Sequence, residues 1–525
     1  MARPDPHSVF DDAQPRVRRL DWRARFDFAT RVIDAEARLT IEGAGAWLDL
    51  DTRDLTIDRV SDDSGARLDV ELGAPHPFMG QRLRIARPPR VVAIRYRTSP
   101  AAMALHWFNQ SAEWLNQWVY SQCQPIYARS IVPLPDSPSA RIAYRAELIA
   151  PRALTALMAA VPIDRVEAGD EATSTFETAE PIAPYLIAFA IGDYVARDLS
   201  PRSRVWTAPS LVDAAARALG DVERMASAAE RLYGPYRWGR FDLLIAPSSF
   251  PYGGMENPRL AFLSPTLLGD REALVSVVAH ELAHAWSGNL VGAASAEHCW
   301  LNEAFTVWGE RRIVAAILGA EVASRQAAAG RRALVEALAA FAAQPERTRL
   351  RLALDGVDPD EGLSIVPYEK GYLMLRALEE ALGEAAFGAF VRAYFARFAG
   401  QPITTEQFAE FAATRARGFA FAHWFDQSGL PSSVASDGSA REVRDADELP
   451  ADWSNQLRDG RIKQLRPIYL ALCRSPERRV EAARLYRQHR AGYHPIARQQ
   501  LERLFREQGV AIEEVKPLGL GRRPT

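Results

Sequence analysis

The chain has 525 residues, and its 64 lysines and arginines nearly balance 66 aspartates and glutamates, giving a formal net charge of −2. That balance excludes the basic field that nucleic-acid binding needs and any strong attraction to an acidic membrane surface. The cysteines Cys123, Cys299 and Cys473 are odd in number and too sparse for a disulfide framework. A cytoplasmic location is therefore expected.

The N-terminal third of the chain has the pattern of β structure. Residues 1–12 are mostly polar and contain prolines, without the apolar run of a secretory signal. No stretch of the chain reaches the roughly 18 uninterrupted apolar residues of a membrane-spanning helix. Segments 91–97 and 141–148 alternate apolar and polar residues, and prolines punctuate the region. Residues 1–195 are therefore predicted to form an antiparallel β domain.

The remaining sequence is predominantly helical. Helices and short strands are predicted over residues 214–232, 241–245, 260–263, 271–287 and 302–318, in that order. Asp270 is a plausible N-cap for the helix over 271–287, and Gly288 a plausible residue beyond its end. The predicted fold class is a multidomain α+β protein. After the β domain come a catalytic domain over 196–428, a linker over 429–452 and a short α-helical C-terminal domain over 453–525.

The helix over 271–287 contains a metal-ligand motif, His280-Glu281-Leu282-Ala283-His284. Residues four apart lie on one helical face, so the two imidazoles can converge on one ion. This is the H-E-x-x-H signature of zinc hydrolases. Glu281 lies beside the ligands and could take a proton from the attacking water, then pass it to the leaving amine.

A third ligand is expected from the next helix. Catalytic zinc sites use three protein ligands and one open position. Glu303 lies 19 positions after His284, near the start of the helix over 302–318. A helix, a turn and a returning helix would bring its carboxylate over the histidine face. The sequence thus predicts one zinc ion per chain, bound by His280, His284 and Glu303, which would acidify a bound water and polarise a carbonyl group.

A second motif precedes this helix, in the segment Phe250-Pro251-Tyr252-Gly253-Gly254-Met255-Glu256-Asn257-Pro258. A G-x-M-E-N motif followed by H-E-x-x-H, 18 residues and Glu resembles the gluzincin zinc aminopeptidases, in the branch that contains leukotriene-A(4) hydrolase and aminopeptidase B. The similarity continues through 121–126, 300–310 and 366–371, and spans residues 20–430. It implies a thermolysin-like zinc catalytic domain and an aminopeptidase activity.

The resemblance also implies substrate-binding roles. Glu256 resembles the carboxylate that grips the free α-ammonium of a peptide, and Tyr368 resembles the tyrosine whose hydroxyl donates to the oxyanion. The other residues placed in the substrate site by this resemblance are Gln122, Gln124, Tyr252, Gly253, Gly254 and Asp360. The two glycines have no side chains, so their backbone could approach the substrate closely.

Each of these assignments has a plainer alternative. Glutamines are common in loops, an acidic loop residue would explain Asp360, and a buried core tyrosine would explain Tyr368. Glu310, two helical turns beyond Glu303, could orient a ligand histidine or be a solvated helix carboxylate.

The chain also departs from the epoxide-hydrolysing members of the family. They carry a second tyrosine five residues before the catalytic one, where this chain has Leu363. Their Arg–Lys pair for a substrate carboxylate has no match near residues 489–493, and the segment after the linker is shorter than their helical domain. These departures argue against epoxide hydrolysis and tripeptide preference, but leave the peptidase motifs intact.

Three functions therefore compete. The first is a zinc-dependent aminopeptidase that acts on peptides with a free N-terminus, expected as a monomer without nucleic-acid or membrane partners. The second is a bifunctional or redirected hydrolase with epoxide hydrolase activity, which draws on Asp360. The third is a metal-stabilised peptide-binding scaffold without turnover.

Overall fold

The computed structural model describes residues 5–108, 117–178, 180–362, 364–431, 462–474, 478–490 and 493–512. The chain divides into two compact units, one comprising Met1–Ala246 with Gly253–Arg441 and the other Pro247–Tyr252 with Glu442–Thr525. Within the described residues, no helix combines the length and apolar character that crossing a membrane requires.

The N-terminal part of the first unit is built from three β-sheets, as the sequence predicts. A seven-stranded sheet has the order β12-β13-β10-β1-β2-β7-β4, and smaller sheets have the orders β11-β14-β9-β8 and β3-β6-β5. Their strands are β1 Arg16–Asp27, β2 Val32–Glu42, β3 Trp47–Thr52, β4 Thr56–Ser61, β5 Val70–Leu72, β6 Gln81–Ala86, β7 Val91–Arg97, β8 Leu105–Phe108, β9 Trp118–Ser121, β10 Ala143–Pro151, β11 Thr155–Met158, β12 Val161–Ala168, β13 Glu171–Glu177 and β14 Phe189–Gly192. Pairing is antiparallel except between β1 and β10, which run parallel from Arg19 opposite Ala143.

A mixed sheet and a helical layer follow in the same unit. The sheet has the order β15-β16-β17-β19-β18, in which β16, β17 and β19 run parallel. These strands and a final pair are β15 Val195–Ser200, β16 Ser203–Thr207, β17 Asp242–Ile245, β18 Gly254–Met255, β19 Leu260–Leu263, β20 Gly292–Ala293 and β21 Pro402–Ile403. The helices are α1 Val212–Ala218, α2 Val222–Tyr233, α3 Arg271–Ala283, α4 Trp300–Leu318, α5 Ala320–Ala340, α6 Pro359–Gly362, α7 Ile365–Leu382, α8 Glu384–Phe398, α9 Thr405–Ala413 and α10 Phe421–Phe425.

The catalytic helices pack closely because small residues lie at their crossings. A Cβ atom added to Gly371 on α7 would lie 2.6 Å from Ala304 Cβ on α4, and one added to Gly309 would lie 1.8 Å from the Tyr233 hydroxyl. Both distances are shorter than real Cβ contacts, so only glycine fits at either position. The first crossing fixes α7, which carries Tyr368, against α4, which carries Glu303.

The described part of the second unit is helical, again as predicted. It contains α11 Ile462–Arg474, α12 Arg479–His489 and α13 Pro495–Glu507. Their apolar faces form a core that includes Tyr469, Tyr486 and Phe505, against which Tyr252 packs. Most of the predicted linker lies outside the described residues, and the domain boundaries drawn from the sequence remain predictions.

Two predicted helices differ in extent from the structure. The predicted helix over 214–232 is two helices, α1 and α2, separated by the turn that contains Gly220. Glycine in a helix interior costs about 1 kcal/mol relative to alanine, which favours the break. The predicted helix over 271–287 ends at Ala283. His284, Ala285 and Trp286 form a turn, and Ser287 forms a β-bridge with Val291.

Candidate metal centre

The two histidines of the motif are presented at the C-terminal end of α3. The Asp270 side chain accepts a hydrogen bond from the Ala273 N–H at 3.1 Å and caps the start of the helix. His280 lies in the last turn, and His284 is the residue that follows the helix. Helix α4 packs against α3 and carries Glu303 in its first turn. This arrangement places a carboxylate opposite both imidazoles.

Three potential ligand atoms converge at this point. His280 Nε2 and His284 Nε2 lie 3.2 Å apart, and Glu303 Oε2 lies 3.5 Å from the first and 3.6 Å from the second. Two ligand atoms about 2.1 Å from a tetrahedral zinc ion lie about 3.4 Å apart. The spacing therefore fits zinc without rearrangement, and the two-imidazole, one-carboxylate donor set is a common set for catalytic zinc.

The remaining ring nitrogens are held by other groups, so each Nε2 is directed at the ligand cluster. His280 Nδ1 lies 2.9 Å from Glu310 Oε2, and the other oxygen of Glu310 accepts a hydrogen bond from the Ser276 hydroxyl. His284 Nδ1 lies 2.7 Å from the carbonyl oxygen of Ser287. Such contacts fix the tautomer and orientation of a ligating histidine. Glu310 is thus placed to orient a ligand rather than to face solvent.

Electrostatics favour an ionised Glu303. The side chain is buried, which opposes ionisation, but the neighbouring His284 and His280 hold the pKa of its carboxyl below its usual value. Burial also raises the pKa of the Tyr368 phenol well above its usual value, and the nearby Glu303 adds to the shift. Tyr368 is therefore a neutral hydrogen-bond donor at physiological pH.

Glu281 is buried and adjoins Gly254. A Cβ atom added to Gly254 would lie only 2.3 Å from Glu281 Oε1, so glycine is required there for the carboxylate to keep its position. Single ligand atoms of Glu256, Glu281 and His284 lie within 4.8 Å of one another. The structure thus brings the G-x-M-E-N segment and the H-E-x-x-H helix together at one cleft.

Glu256 is 4% exposed and is held through its backbone and side chain. The Asn289 side chain donates to the Glu256 carbonyl oxygen at 2.8 Å, and Gln124 Nε2 lies 3.5 Å from Glu256 Oε1. Burial raises the pKa of the Glu256 carboxyl, although the charge of His284 opposes that shift. A buried carboxylate with unused hydrogen-bonding capacity is suited to receive an ammonium group.

The two predicted glutamines have different surroundings. Gln124 reaches Glu256, whereas Gln122 Nε2 lies 3.4 Å from the sulfur of Met255. Gln122 is fully buried, and its Oε1 has no hydrogen-bond partner among the described residues. The structure therefore brings Gln124, but not Gln122, to the carboxylate of Glu256. The Gly253 carbonyl oxygen accepts a hydrogen bond from the Ser264 N–H at 2.9 Å.

Tyr368 adjoins the ligand cluster. Its ring stacks on that of His280, with 6.0 Å between centroids and 16° between planes, and its hydroxyl hydrogen-bonds to Glu303. Asp360 accepts a hydrogen bond from the Tyr127 hydroxyl at 2.7 Å. Tyr252 belongs to the second compact unit, so its predicted contribution to the site stays a prediction. Leu363 lies outside the described residues.

Three contributors to this geometry were not predicted from the sequence. They are the carbonyl of Ser287 that holds His284, the side chain of Asn289 that holds Glu256, and the space that Gly254 leaves for Glu281. Ser287 lies at the end of the helix predicted over 271–287, and Asn289 follows that helix. Their roles depend on tertiary contacts, which a local sequence pattern does not encode.

Family models match two parts of the chain. A model described as the peptidase family M1 domain matches residues 218–426, and one described as the peptidase M1 N-terminal domain matches residues 94–186. Together they cover part of the β-rich region and the region that contains all three candidate zinc ligands.

Individual relatives are also similar over most of the chain. Leukotriene A-4 hydrolase from Xenopus laevis is 38% identical over 423 residues, which is 78% of this chain and 69% of the relative. Leucine aminopeptidase 2 from Yarrowia lipolytica is 40% identical over 385 residues, covering 70% of this chain but only 59% of the relative. A solved structure of yeast LTA4 hydrolase in complex with bestatin has a TM-score of 0.85 at 26% identity, covering 96% of this chain and 97% of that one.

Proposed function

The chain belongs to peptidase family M1 and is a zinc-dependent aminopeptidase, and we propose that it removes single residues from peptides with a free N-terminus. One observation carries this proposal. The three ligand atoms lie 3.2–3.6 Å apart, next to a buried carboxylate, Glu256, that belongs to a different segment of the chain. A metal centre beside an ammonium receptor limits cleavage to the first peptide bond.

In this proposal, His280, His284 and Glu303 hold the zinc ion. When bound there, zinc supplies Lewis acidity, which polarises a carbonyl group and acidifies water. Glu310 keeps the His280 ring oriented by accepting from its Nδ1–H at 2.9 Å. The Ser287 carbonyl does the same for His284 at 2.7 Å. Both contacts hold the ring orientation and direct each Nε2 toward the other candidate ligand atoms.

Glu281 acts as the general base. Its carboxylate, next to Gly254 and His284, takes a proton from the attacking water and delivers it to the nitrogen of the leaving peptide. Tyr368 donates its hydroxyl hydrogen to the oxyanion that develops on the former carbonyl oxygen. Its raised pKa keeps that proton in place when the substrate arrives.

Glu256 binds the α-ammonium of the substrate. Its carboxylate is buried, so an ammonium there exchanges water for a charge-assisted hydrogen bond. Gln124, 3.5 Å from the same carboxylate, fixes its orientation. An acetylated N-terminus has no charge and is bulkier, so N-blocked peptides are poor substrates.

The decisive experiment compares Glu281→Gln with wild type. Glutamine keeps the shape of the side chain but cannot take a proton, so zinc content should stay near one per chain while turnover of aminoacyl reporters falls by at least about a thousandfold, within the range seen for lost acid–base groups. Glu272→Gln, on the exposed side of the same helix, is the matched control and should retain activity. Turnover that survives Glu281→Gln would refute the mechanism.

Epoxide hydrolysis is the second candidate. It is favoured by the similarity to a protein named leukotriene A-4 hydrolase and by Asp360, which Tyr127 holds at 2.7 Å. Incubation with a lipid epoxide and analysis for a diol would test it, and a diol that disappears in Asp360→Asn would support it. The scaffold without turnover is set aside, because the chain belongs to an enzyme family.

The cellular setting of the protein is also a proposal. The three cysteines are free and buried, which is compatible with the cytoplasmic location expected from the sequence. A monomer is proposed as the active form, since every proposed site residue comes from one chain. Sedimentation at micromolar concentration would test whether the protein is a monomer.

A further inference from the structure

A cavity of about 680 Å³ lies in the first compact unit, away from the residues of the proposed zinc site. Its lining comes from β11, β12, β13 and β16 and from the amino ends of β17 and β19. Small-molecule sites in proteins have volumes of roughly 300–1,000 Å³. The cavity therefore has the size of a ligand site.

The charged lining of the cavity has an excess of guanidinium groups. Four arginines but only two aspartates line it. Three of the arginines are engaged by neighbours. Arg240 pairs with Asp242 at 3.0 Å, Arg204 pairs with Asp198 at 2.7 Å, and Arg165 donates to the carbonyl oxygen of residue 152 at 2.7 Å.

The fourth arginine, Arg259, differs in having no ion pair with a carboxylate of the described residues. Its Nη1 donates to the Trp238 carbonyl oxygen. Within the described residues, its buried Nε has no hydrogen-bond partner, and no carboxylate lies within salt-bridge distance of it. Burial lowers the pKa of Arg259 from its usual value, while Tyr236 and the carboxylate of Asp242 partly oppose that shift. A partly buried cation without a direct ion pair is costly, and an anion in the cavity would offset that cost.

The backbone of Arg259 has an unfavourable conformation. Arg259 has φ of +68°, a conformation that favours glycine, in a turn closed by the Leu260 N–H donating to Asn257 O at 3.1 Å. Such a conformation is sterically unfavourable for a non-glycine residue. A Cβ atom added to Gly239 would lie 2.8 Å from Arg259 Nη1. Arg259 therefore occupies a position at which glycine would have no steric strain. Gly239 leaves the space that the guanidinium of Arg259 occupies.

The rest of the lining is largely apolar. Leu157, Met158, Phe176 and Trp206 contribute to it. An inorganic ion would leave this surface without a partner, whereas a ligand with an apolar body would cover it. Charge and apolar surface together therefore specify an amphipathic anion.

We propose that this cavity is a second ligand site, which binds an organic anion through Arg259 and packs its apolar body against Phe176 and Trp206. A carboxylate and a phosphate monoester share the required chemistry, because both accept two hydrogen bonds from a guanidinium. The site is separate from the hydrolytic centre, so it stands or falls independently of the proposed peptidase mechanism.

Isothermal titration of the zinc-loaded protein tests the site with four probes: hexyl phosphate, hexanoate, 1-hexanol and inorganic phosphate. At least one hexyl anion should bind at one site per chain with a Kd of about 1 mM or lower, roughly −4 kcal/mol. Hexanol and inorganic phosphate should bind at least about tenfold more weakly, since each lacks one half of the required chemistry. The stronger of the two anions identifies the head group.

Two variants locate the binding. Arg259→Gln removes the charge and should weaken binding by about tenfold or more. Ala156→Phe places a ring in the cavity without changing charge and should abolish binding. Arg259→Gly also removes the guanidinium, and it relaxes the backbone at this position. Unchanged cleavage of an aminoacyl reporter by Ala156→Phe shows that the Ala156→Phe variant folds.

Arg97→Gln, an exposed arginine on β7 paired with Asp58, is the matched control and should bind as wild type does. Binding that survives both cavity variants, equal binding of hexanol or of inorganic phosphate, or no binding of either hexyl anion to wild type would each overturn the proposal.

Discussion

Replacing Glu256 by glutamine tests the proposed ammonium receptor most directly. The side chain is 4% exposed, so its charge is little screened by water. Opposite charges about 4 Å apart attract by about 4 kcal/mol at an effective dielectric constant near 20. Burial of the carboxylate offsets part of this attraction, and measured hydrogen bonds to charged groups contribute about 1.5–3 kcal/mol. A loss of about 3 kcal/mol corresponds to a fall of roughly 150-fold in kcat/KM.

The substrate should reveal where that loss arises. The ammonium is bound in the ground state and in the transition state, so most of the change should appear as a higher KM. An N-acetylated reporter, which has no ammonium, should be cleaved equally slowly by wild type and by Glu256→Gln. Zinc content should not change, because Glu256 is not among the three proposed ligands.

The assay is steady-state hydrolysis of matched aminoacyl and N-acetyl-aminoacyl fluorogenic amides, with zinc measured on the same preparations. Glu42→Gln, an exposed carboxylate on β2, controls for the loss of one negative charge. A kcat/KM for the free-amine reporter within about threefold of wild type would refute the assignment, since that change is below 1 kcal/mol. An equal loss on both reporters would instead indicate a general disturbance of the site.

Substitutions at three further positions test other parts of the structure. Gly254→Ala should displace the Glu281 carboxylate, because the new Cβ would lie 2.3 Å from its Oε1. Turnover measurements should then show a kcat lower by about a hundredfold or more. Metal analysis should show an unchanged zinc content. Glu310→Ala removes the partner of His280 Nδ1 and should weaken zinc binding by about 10–100-fold in chelator competition, whereas Glu310→Gln, which can still accept, should weaken it less. Burial lowers the pKa of His298 from 6.5 to about 4. As the pH falls, this histidine is therefore protonated in the unfolded chain before it is protonated in the folded protein. The free energy of unfolding should fall by up to about 3 kcal/mol between pH 6.5 and pH 4. His298→Gln should remove that part of the acid-side slope in denaturant titrations, and an unchanged slope would contradict the assignment.

The convergence of His280, His284 and Glu303 was predictable because helical periodicity is a local property. Two histidines four residues apart must share a helical face, and the helix that carries Glu303 begins at Trp300, after a connection over residues 284–299. The required distances therefore follow from a few dozen contiguous residues. The β-rich character of the N-terminal region was predictable for the same reason, from alternation within single strands such as β7.

Features that depend on distant segments were not predictable. Gln122 and Gln124 are two positions apart, and nothing local indicates that one meets Met255 and the other Glu256. The parallel pairing of β1 with β10 joins residues more than 120 positions apart. The arginine-lined cavity combines strands from two regions, and its key residue, Arg259, adopts a backbone conformation that sequence patterns assign to glycine.

Contacts between residues far apart in the sequence also affect the order of folding during synthesis. His7, near the start of the chain, places Nε2 within 3.1 Å of the Leu354 carbonyl oxygen and 2.8 Å of the Val357 carbonyl oxygen, some 350 positions later. The carbonyl oxygen of His7 accepts a hydrogen bond from Arg129, so β-rich and helical regions meet around this residue. A ribosome-bound chain emerges from its N-terminus, so His7 must wait until the catalytic helices have been made. The contacts of His7 are therefore among those that form late, after residue 357 has been synthesised.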